Sequence, residues 1–186
     1  MNANSLQKYP FNEKDRLLID ANVWLYAYGP DSYKKENRCA CIYAQELNRI
    51  KLSKSQIFIN EIILSEFINT FAREKWKDYN DENEYMEFKE YRDSSHFEPI
   101  AEDIYYGVDD ILSIAKYGNY VATGFTVEKA RRFIDIYKSG KTDFNDLILK
   151  DICKVNGLIL VTNDKDFKDC DVPIITENFI LLRKDR

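Results

Sequence analysis

The fold is decided by the stretch Arg16-Leu17-Leu18-Ile19-Asp20, a short apolar run that ends at an acidic residue. Such a run is typical of a buried parallel strand, because helices cover both faces of a parallel sheet. Asp20 would then lie at the carboxyl end of its strand, which is where sites form in open α/β sheets. The stretch therefore predicts both a sheet and the edge of that sheet that carries function.

Outward from this strand, short apolar runs alternate with segments of helical periodicity. Further strands are predicted at 57–59, 158–161 and 172–175. Helices are predicted from the turn at 29–32 to about Leu52, and at 61–77, 101–116, 127–138 and 141–155, with a helix or helical hairpin at 78–98. This alternation indicates an α/β fold with a mostly parallel central sheet and helices on both faces.

The histidine and cysteine content excludes several kinds of chemistry. The single histidine, His96, rules out a two-histidine ribonuclease within one chain. A Ser-His-Asp triad would have to use His96, whose polar surroundings at 93–96 favour a surface position. The four cysteines form no CxxC pair and have no histidine at zinc spacing, so they are interpreted as reduced structural thiols.

The charge and hydropathy of the sequence indicate where the protein is located more clearly than they indicate what it binds. The net charge is −5, but the stretch 78–98 holds eight acids and two bases, so the rest of the chain carries about +1. RNA is neither excluded nor supported by this balance. Residues 1–15 lack a signal-like apolar core, and no run approaches the roughly 18 apolar residues of a membrane span. A cytoplasmic protein without membrane contact is predicted.

Four segments carry a family resemblance. They are Leu17-Leu18-Ile19-Asp20-Ala21-Asn22-Val23-Trp24, Ser65-Glu66-Phe67-Ile68, Asp143-Phe144-Asn145-Asp146-Leu147-Ile148 and Leu160-Val161-Thr162-Asn163-Asp164-Lys165-Asp166-Phe167. In this order they resemble the PIN-domain family, which includes the toxin ribonucleases of VapBC-type toxin–antitoxin pairs. The resemblance implies one PIN-like domain over 1–186, with a helical insertion at about 78–126 that matches no family block.

The resemblance also implies an acidic metal site. Its four ligands and catalytic residues would be Asp20, Glu66, Asp146 and Asp164, binding Mg²⁺ or Mn²⁺. Asn22 and Thr162 would support the metal or the scissile phosphate. Asp143 and Asp166 remain secondary candidates for the third and fourth ligand positions. An RNA substrate, an antitoxin partner and a homodimer follow from the same resemblance.

The residue types suit this chemistry on physical grounds. Hard divalent cations prefer carboxylate oxygens, and clustered carboxylates repel one another unless a cation is present. Since water would be the nucleophile, the predicted products carry 5′-phosphate and 3′-hydroxyl ends. A 2′,3′-cyclic phosphate would contradict this mechanism.

Structural interpretations stay open beside the functional one. Asp143 suits the first turn of a helix, and most helix glutamates such as Glu66 are simply solvated. Asp164 and Asp166 could form a turn without chemistry. The aromatic residues Trp24, Tyr26 and Tyr28 could stack on bases, although residues of this kind beside a strand are more often core.

Two other functions remain possible. A catalytically inactive PIN-like module would bind RNA or protein without holding metal. A haloacid-dehalogenase-like phosphatase also places an acid after its first strand, but it needs Asp-x-Asp where this chain has Asp20-x-Asn22. A nucleotide-binding Rossmann domain is disfavoured, because the six glycines form no phosphate loop.

Overall fold

The computed structural model describes residues 3–35, 39–115, 119–140, 142–168 and 170–183. Its strands are β1 (Ala3–Ser5), β2 (Arg16–Ile19), β3 (Gln56–Phe58), β4 (Ile159–Val161) and β5 (Ile174–Thr176). Its helices are α1 (Ala21–Tyr28), α2 (Asp31–Lys35), α3 (Ala40–Leu52), α4 (Glu61–Glu82), α5 (Phe88–Arg92), α6 (Glu98–Ala115), α7 (Val127–Tyr137), α8 (Phe144–Asn156) and α9 (Phe179–Leu182), with a 3₁₀ turn at Lys165–Phe167.

The strands form one parallel sheet in the order β1-β5-β4-β2-β3. The prediction of a parallel α/β fold is thus confirmed. Central strands β2 and β4 are direct neighbours, with Ile19 paired to Val161. Their carboxyl ends therefore lie side by side, which brings the segment that starts at Asp20 next to the one that starts at Thr162.

The sheet is covered on both faces. Leu17, Leu18 and Ile19 are all fully buried, although successive side chains of a strand point to opposite faces. Leu160 and Val161 of β4 are buried in the same way. The fully buried aromatic residues Trp24, Tyr43, Phe67 and Phe167 belong to the same continuous core.

Several elements differ from the sequence prediction. Strand β1 was not predicted, because its three residues have no apolar pattern and their pairing with β5 is a matter of backbone hydrogen bonds. Helix α1 begins immediately after Asp20, where no helix was expected. The single helix expected between the turn at 29–32 and Leu52 is instead the two helices α2 and α3.

The region of the proposed insertion is largely helical. Helix α4 runs five residues beyond the predicted end at 77, and a loop then leads to α5, so 78–98 forms a bent helical segment. Trp76 donates a hydrogen bond of 2.7 Å to the carbonyl of Met86, which ties the loop back to α4. Helix α6 approaches α4 closely at Gly107, where an added Cβ would lie 3.0 Å from Phe67.

Within the part of the chain that the structure describes, the helices are too short or too polar to cross a membrane. The four cysteines are free thiols, and Cys153 is buried. His96 is exposed and packs on the ring of Tyr79, with 5.0 Å between centroids. The surface position expected for this histidine is confirmed.

Candidate metal centre

Asp20 is the buried base of the acidic site. It directly follows β2, caps the N-terminus of α1 and is only 4% exposed. Its Oδ1 accepts a hydrogen bond of 2.7 Å from the backbone N–H of Ala21. Its Oδ2 accepts bonds of 2.6 Å from both Asn22 Nδ2 and Thr162 Oγ1. The carboxylate is therefore fixed in one orientation by three donors.

Thr162 and Asn22 join the two strand ends. Thr162 is fully buried, and its Oγ1 also accepts a hydrogen bond of 3.0 Å from the backbone N–H of Asp164. Asn22 Oδ1 accepts a bond of 3.2 Å from the backbone N–H of Asn163. The segment after β4 is thus fastened to the segment after β2, and the positions of Asp20 and Asp164 depend on each other.

Helix α8 brings a second pair of acids to the same edge. Asp143 caps this helix through a bond of 2.8 Å from the backbone N–H of Asn145 to its Oδ1, and its side chain is exposed. Asp146, one turn later, is 8% exposed. Among the described residues, nothing donates a hydrogen bond to its buried Oδ2. A buried carboxylate oxygen without a donor is costly unless a cation or water binds it.

Asp146, Asp164 and Asp166 form a compact group. One carboxylate oxygen from each lies within 4.8 Å of the others. Asp164 begins the 3₁₀ turn and accepts a bond of 2.9 Å from the backbone N–H of Asp166, which places the exposed Asp166 beside it. Asp166 was only a secondary candidate in the sequence prediction, yet the structure puts it in this group.

Glu66 extends from α4 toward the same group. Burial raises its pKa to about 7, with further increases from the negative charges of Asp20, Asp146, Asp143 and Asp164. The four acids predicted as ligands thus influence one another electrostatically. Among the described residues, however, the group with carboxylate oxygens within 4.8 Å contains Asp146, Asp164 and Asp166 but not Asp20 or Glu66. Asp143 acts on them electrostatically from the exposed rim.

Two other carboxyl groups of the site are also harder to ionise than usual. Burial raises the pKa of Asp20 to about 6, against the lowering effect of its three hydrogen bonds. Burial and the charge of Asp164 raise the pKa of Asp146 to about 7. Burial is the main cause of all three shifts and the neighbouring carboxylates add to it, so a bound cation would oppose them.

Sequence inspection missed two kinds of residue around this site. Lys150 follows Asp146 by one helical turn, opposes its raised pKa and lies 3.3 Å from the carbonyl of Asp166. Its i,i+4 spacing from Asp146 was an available signal. Tyr43 lies beneath the site, with its hydroxyl 3.0 Å from the carbonyl of Thr162, and accepts a bond of 2.8 Å from the backbone N–H of Glu177. No local pattern links Tyr43 to residues more than a hundred positions away.

Two of the three aromatic residues of α1 are core residues. Trp24 and Tyr26 are buried, and Trp24 donates a hydrogen bond of 3.0 Å to the carbonyl of Ile19. They cannot stack on a base, so the alternative that they are core residues is correct. Tyr28 is half-buried and accepts a bond of 2.7 Å from Lys51 Nζ.

The donor set fits a hard divalent cation. Its oxygens are carboxylates, one buried oxygen lacks a donor among the described residues, and burial together with the neighbouring carboxylates raises the pKa values of three acids. Together with the parallel sheet, this defines an α/β protein with an acidic centre at the carboxyl edge of β2 and β4.

Comparison with known families agrees with this class. The model of the PIN domain matches residues 17–173, and the chain therefore belongs to the PIN domain family. No curated protein matches it. Among solved structures, the chain is similar to the VapBC2 structure from Rickettsia felis bound to a DNA fragment from its promoter. That match has 17% identity and a TM-score of 0.46, and covers 87% of this chain and 96% of the other.

Proposed function

We propose that this PIN domain protein is a metal-dependent endoribonuclease that hydrolyses RNA phosphodiester bonds. The observation that carries the proposal is the group of carboxylates at one sheet edge, with the buried Asp146 Oδ2 lacking a donor. Membership of the PIN domain family supports it. As ligands we propose Asp20, Glu66, Asp146 and Asp164, with Asp166 as a further ligand and Asp143 at the rim.

The protein's own groups have separate tasks in this proposal. A bound Mg²⁺ or Mn²⁺ would supply charge neutralisation at the phosphate and a more acidic water. Thr162 and Asn22 hold the Asp20 carboxylate in place, so that its remaining lone pairs point in a fixed direction. Lys150 supplies a positive charge beside Asp146 and Asp166.

Water as the nucleophile determines the products. Attack on the phosphorus with departure of the 3′-oxygen leaves a 5′-phosphate and a 3′-hydroxyl, and the 2′-hydroxyl takes no part. Attack by water needs no histidine at the site. The single histidine of the chain, His96, is exposed and is not part of the described acidic site.

The biological setting is a further part of the proposal. We infer a cytoplasmic toxin whose activity is masked by an antitoxin protein, and which forms a homodimer as PIN domains commonly do. This inference comes from the family resemblance of the sequence blocks. The 1–186 chain would act as one domain, with the insertion at about 78–126 selecting RNA or partners.

The alternative is a PIN-like module that binds RNA or protein without catalysis. The complete acidic set argues against it, since a binding module has no need for a buried carboxylate oxygen without a donor. The phosphatase alternative receives no support from the PIN domain match.

Product ends test the proposed chemistry. The purified chain would be incubated with RNA and Mn²⁺, and its fragments treated with an exonuclease that requires a 5′-phosphate. Digestion of the fragments, and no fragments with Asp20→Asn, is the expected result. Fragments that resist the exonuclease and carry a cyclic phosphate would overturn the mechanism.

A further inference from the structure

A groove of about 610 Å³ runs along α4 beside the acidic centre. Glu66 lines this groove and also experiences the negative charges of Asp20, Asp146 and Asp164, which connects the groove to the acidic centre. Asn145, the neighbour of Asp146, closes the groove from the N-terminus of α8. The remaining lining residues come from one side of α4, namely Glu61, Ile62, Ser65, Asn69, Thr70 and Arg73.

The groove leads from the acidic centre to a cation. Glu66, Asn69 and Arg73 follow one another at spacings of three and four, so they share a face of α4. Seven residues separate Glu66 from Arg73, which corresponds to about 10 Å along a helix that rises about 1.5 Å per residue. Arg73 is the one cation that lines the groove within the described part of the chain.

The geometry of Arg73 suits phosphate binding. Its guanidinium lies over the ring of Phe88, with 4.7 Å between Cζ and the ring centroid. Stacking of this kind uses the face of the guanidinium and leaves its N–H edge for an oxyanion. Arg73 is exposed and takes part in no ion pair among the residues that the structure describes.

The groups between the two ends are neutral and polar. Asn69 Nδ2 donates to the carbonyl of Ser65 at 2.8 Å, which leaves its Oδ1 as an acceptor. Amide and hydroxyl groups of this kind suit ribose hydroxyls and the edges of unpaired bases. Glu61 and Ile62 line the groove on the other side of Glu66, so the part that suits a nucleic-acid strand runs from Glu66 past Asn69 and Thr70 to Arg73.

We propose that this groove binds the single-stranded RNA substrate on one side of the reacting phosphate, with Arg73 holding a backbone phosphate. Because Arg73 lies about 10 Å along α4 from Glu66, the phosphate it contacts is another phosphate of the same strand and not the one that is cleaved. Arg73 is thus a positioning residue for the substrate. The inference depends on the proposed ribonuclease function.

Equilibrium binding tests the groove separately from catalysis. A fluorescein-labelled single-stranded RNA 12-mer would be titrated with the intact protein in Ca²⁺, with RNA integrity checked on a gel, at several salt concentrations. Arg73→Gln is expected to weaken binding about fivefold to tenfold. It should also reduce the slope of log K against log salt by about 0.7, the value for one phosphate contact on a single strand.

Matched variants separate charge from packing. Arg92 also lies over Phe88, at 5.9 Å, but it does not line this groove, so Arg92→Gln should leave the salt slope unchanged. Arg73→Lys should retain the slope, because the positive charge is kept. A melting curve of each variant checks that the fold is intact.

Equal RNA affinity and an equal salt slope for Arg73→Gln and Arg92→Gln would overturn the proposal that this groove binds RNA. The same experiment distinguishes this failure from that of the proposed function. If the wild type cleaves RNA in Mn²⁺ while Arg73→Gln binds normally, the groove assignment is wrong and the nuclease stands. If the salt slope falls as expected but the wild type neither cleaves RNA in Mn²⁺ nor binds Mn²⁺, the groove stands as an RNA-binding surface and the ribonuclease function is wrong.

Discussion

At the scale of single residues, the site depends on side chains that do not contact metal or substrate. Thr162 Oγ1 connects Asp20 with the backbone of Asp164, and Asn22 completes the link. Groups that orient metal ligands affect metal affinity and activity although they lie one layer behind. The polar residues beneath a carboxylate cluster therefore say as much about its function as the carboxylates themselves.

Thr162→Val removes the hydroxyl that serves Asp20 and Asp164 at little change in volume. We expect RNA cleavage to fall about 10- to 100-fold, as is common when such a supporting group is lost. The control is Thr126→Val, which removes the hydroxyl that accepts a bond of 3.2 Å from the backbone N–H of Lys129 at the start of α7, outside the acidic site. Equal losses of activity in both variants would show that Thr162 has only a structural role.

The raised carboxyl pKa values predict how pH acts on the metal-free protein. Asp20, Glu66 and Asp146 have pKa values of about 6, 7 and 7, above their ordinary values, so the folded state binds protons more tightly than the unfolded chain. Their contribution to the free energy of unfolding is complete below about pH 4 and is lost as pH rises to about 7.

Thermal melting in EDTA checks this sign. The melting temperature should fall between pH 5 and pH 8, and Mn²⁺ should raise it more at pH 8, where the carboxylates are ionised. Asp146→Asn removes one of the three groups, so its melting temperature should depend less on pH. A melting temperature that rises steadily from pH 5 to pH 8 in EDTA would be incompatible with this explanation.

At the scale of elements, the strand ends and helix starts bring the acids together. Asp20, Asp143 and Asp164 each cap a helix or helical turn with one oxygen. Those bonds hold the backbone at the point where it leaves the sheet or enters α8. The structural interpretation of these acids as caps is compatible with a metal site, because Asp143 and Asp164 each have a second oxygen and Asp20 Oδ1 accepts one hydrogen bond only.

The sequence alone was sufficient to predict the strands and helices that bury apolar side chains. Strands β2 and β4 and the start of α4 at Glu61 were predicted from local patterns. Strand β1 was not, because its position depends on backbone pairing with β5, which is far away in the chain. Local signals cannot report such pairing.

The same limit applies to the site. The motifs left open whether Asp143 or Asp146, and whether Asp164 or Asp166, is the main ligand. In the described residues, the carboxylate oxygens that lie within 4.8 Å of one another belong to Asp146, Asp164 and Asp166. Asp166 joins the compact group because of the 3₁₀ turn, and that turn has no distinctive sequence signal. Lys150 and Tyr43 were missed because their roles arise only from packing around the acids.

Close packing of α6 on α4 gives a prediction at this scale. Gly107→Leu would place a side chain against Phe67, whose Cζ lies 3.0 Å from an added Cβ. We expect the free energy of unfolding to fall by about 1–3 kcal/mol, as is typical of overpacking. The control, Ser113→Leu, lies on an exposed part of the same helix. Chemical denaturation would give the free energy of unfolding of both variants. Equal values would contradict the close packing of Gly107 against Phe67.

At the scale of the whole molecule, the region at about 78–126 shares the core of the sheet. Ile104, Ile111 and Ala115 of α6 belong to the same buried cluster as β2 and β4. We therefore predict one cooperative unfolding transition, with calorimetric and van't Hoff enthalpies equal. Two separate transitions would show that the region at 78–126 is an independent unit.

The most direct test of the central claim is cleavage of a mixed RNA pool by the purified protein, in Mn²⁺ or Mg²⁺ against EDTA, beside Asp146→Asn. The matched control is Asp135→Asn, an exposed acid of α7 paired with Lys138 outside the acidic site. We predict metal-dependent cleavage by the wild type and by Asp135→Asn, and its loss in EDTA and in Asp146→Asn. Cleavage that persists in Asp146→Asn at the wild-type rate, or an absence of both cleavage and metal binding in the wild type, would contradict a metal-dependent ribonuclease centred on these acids.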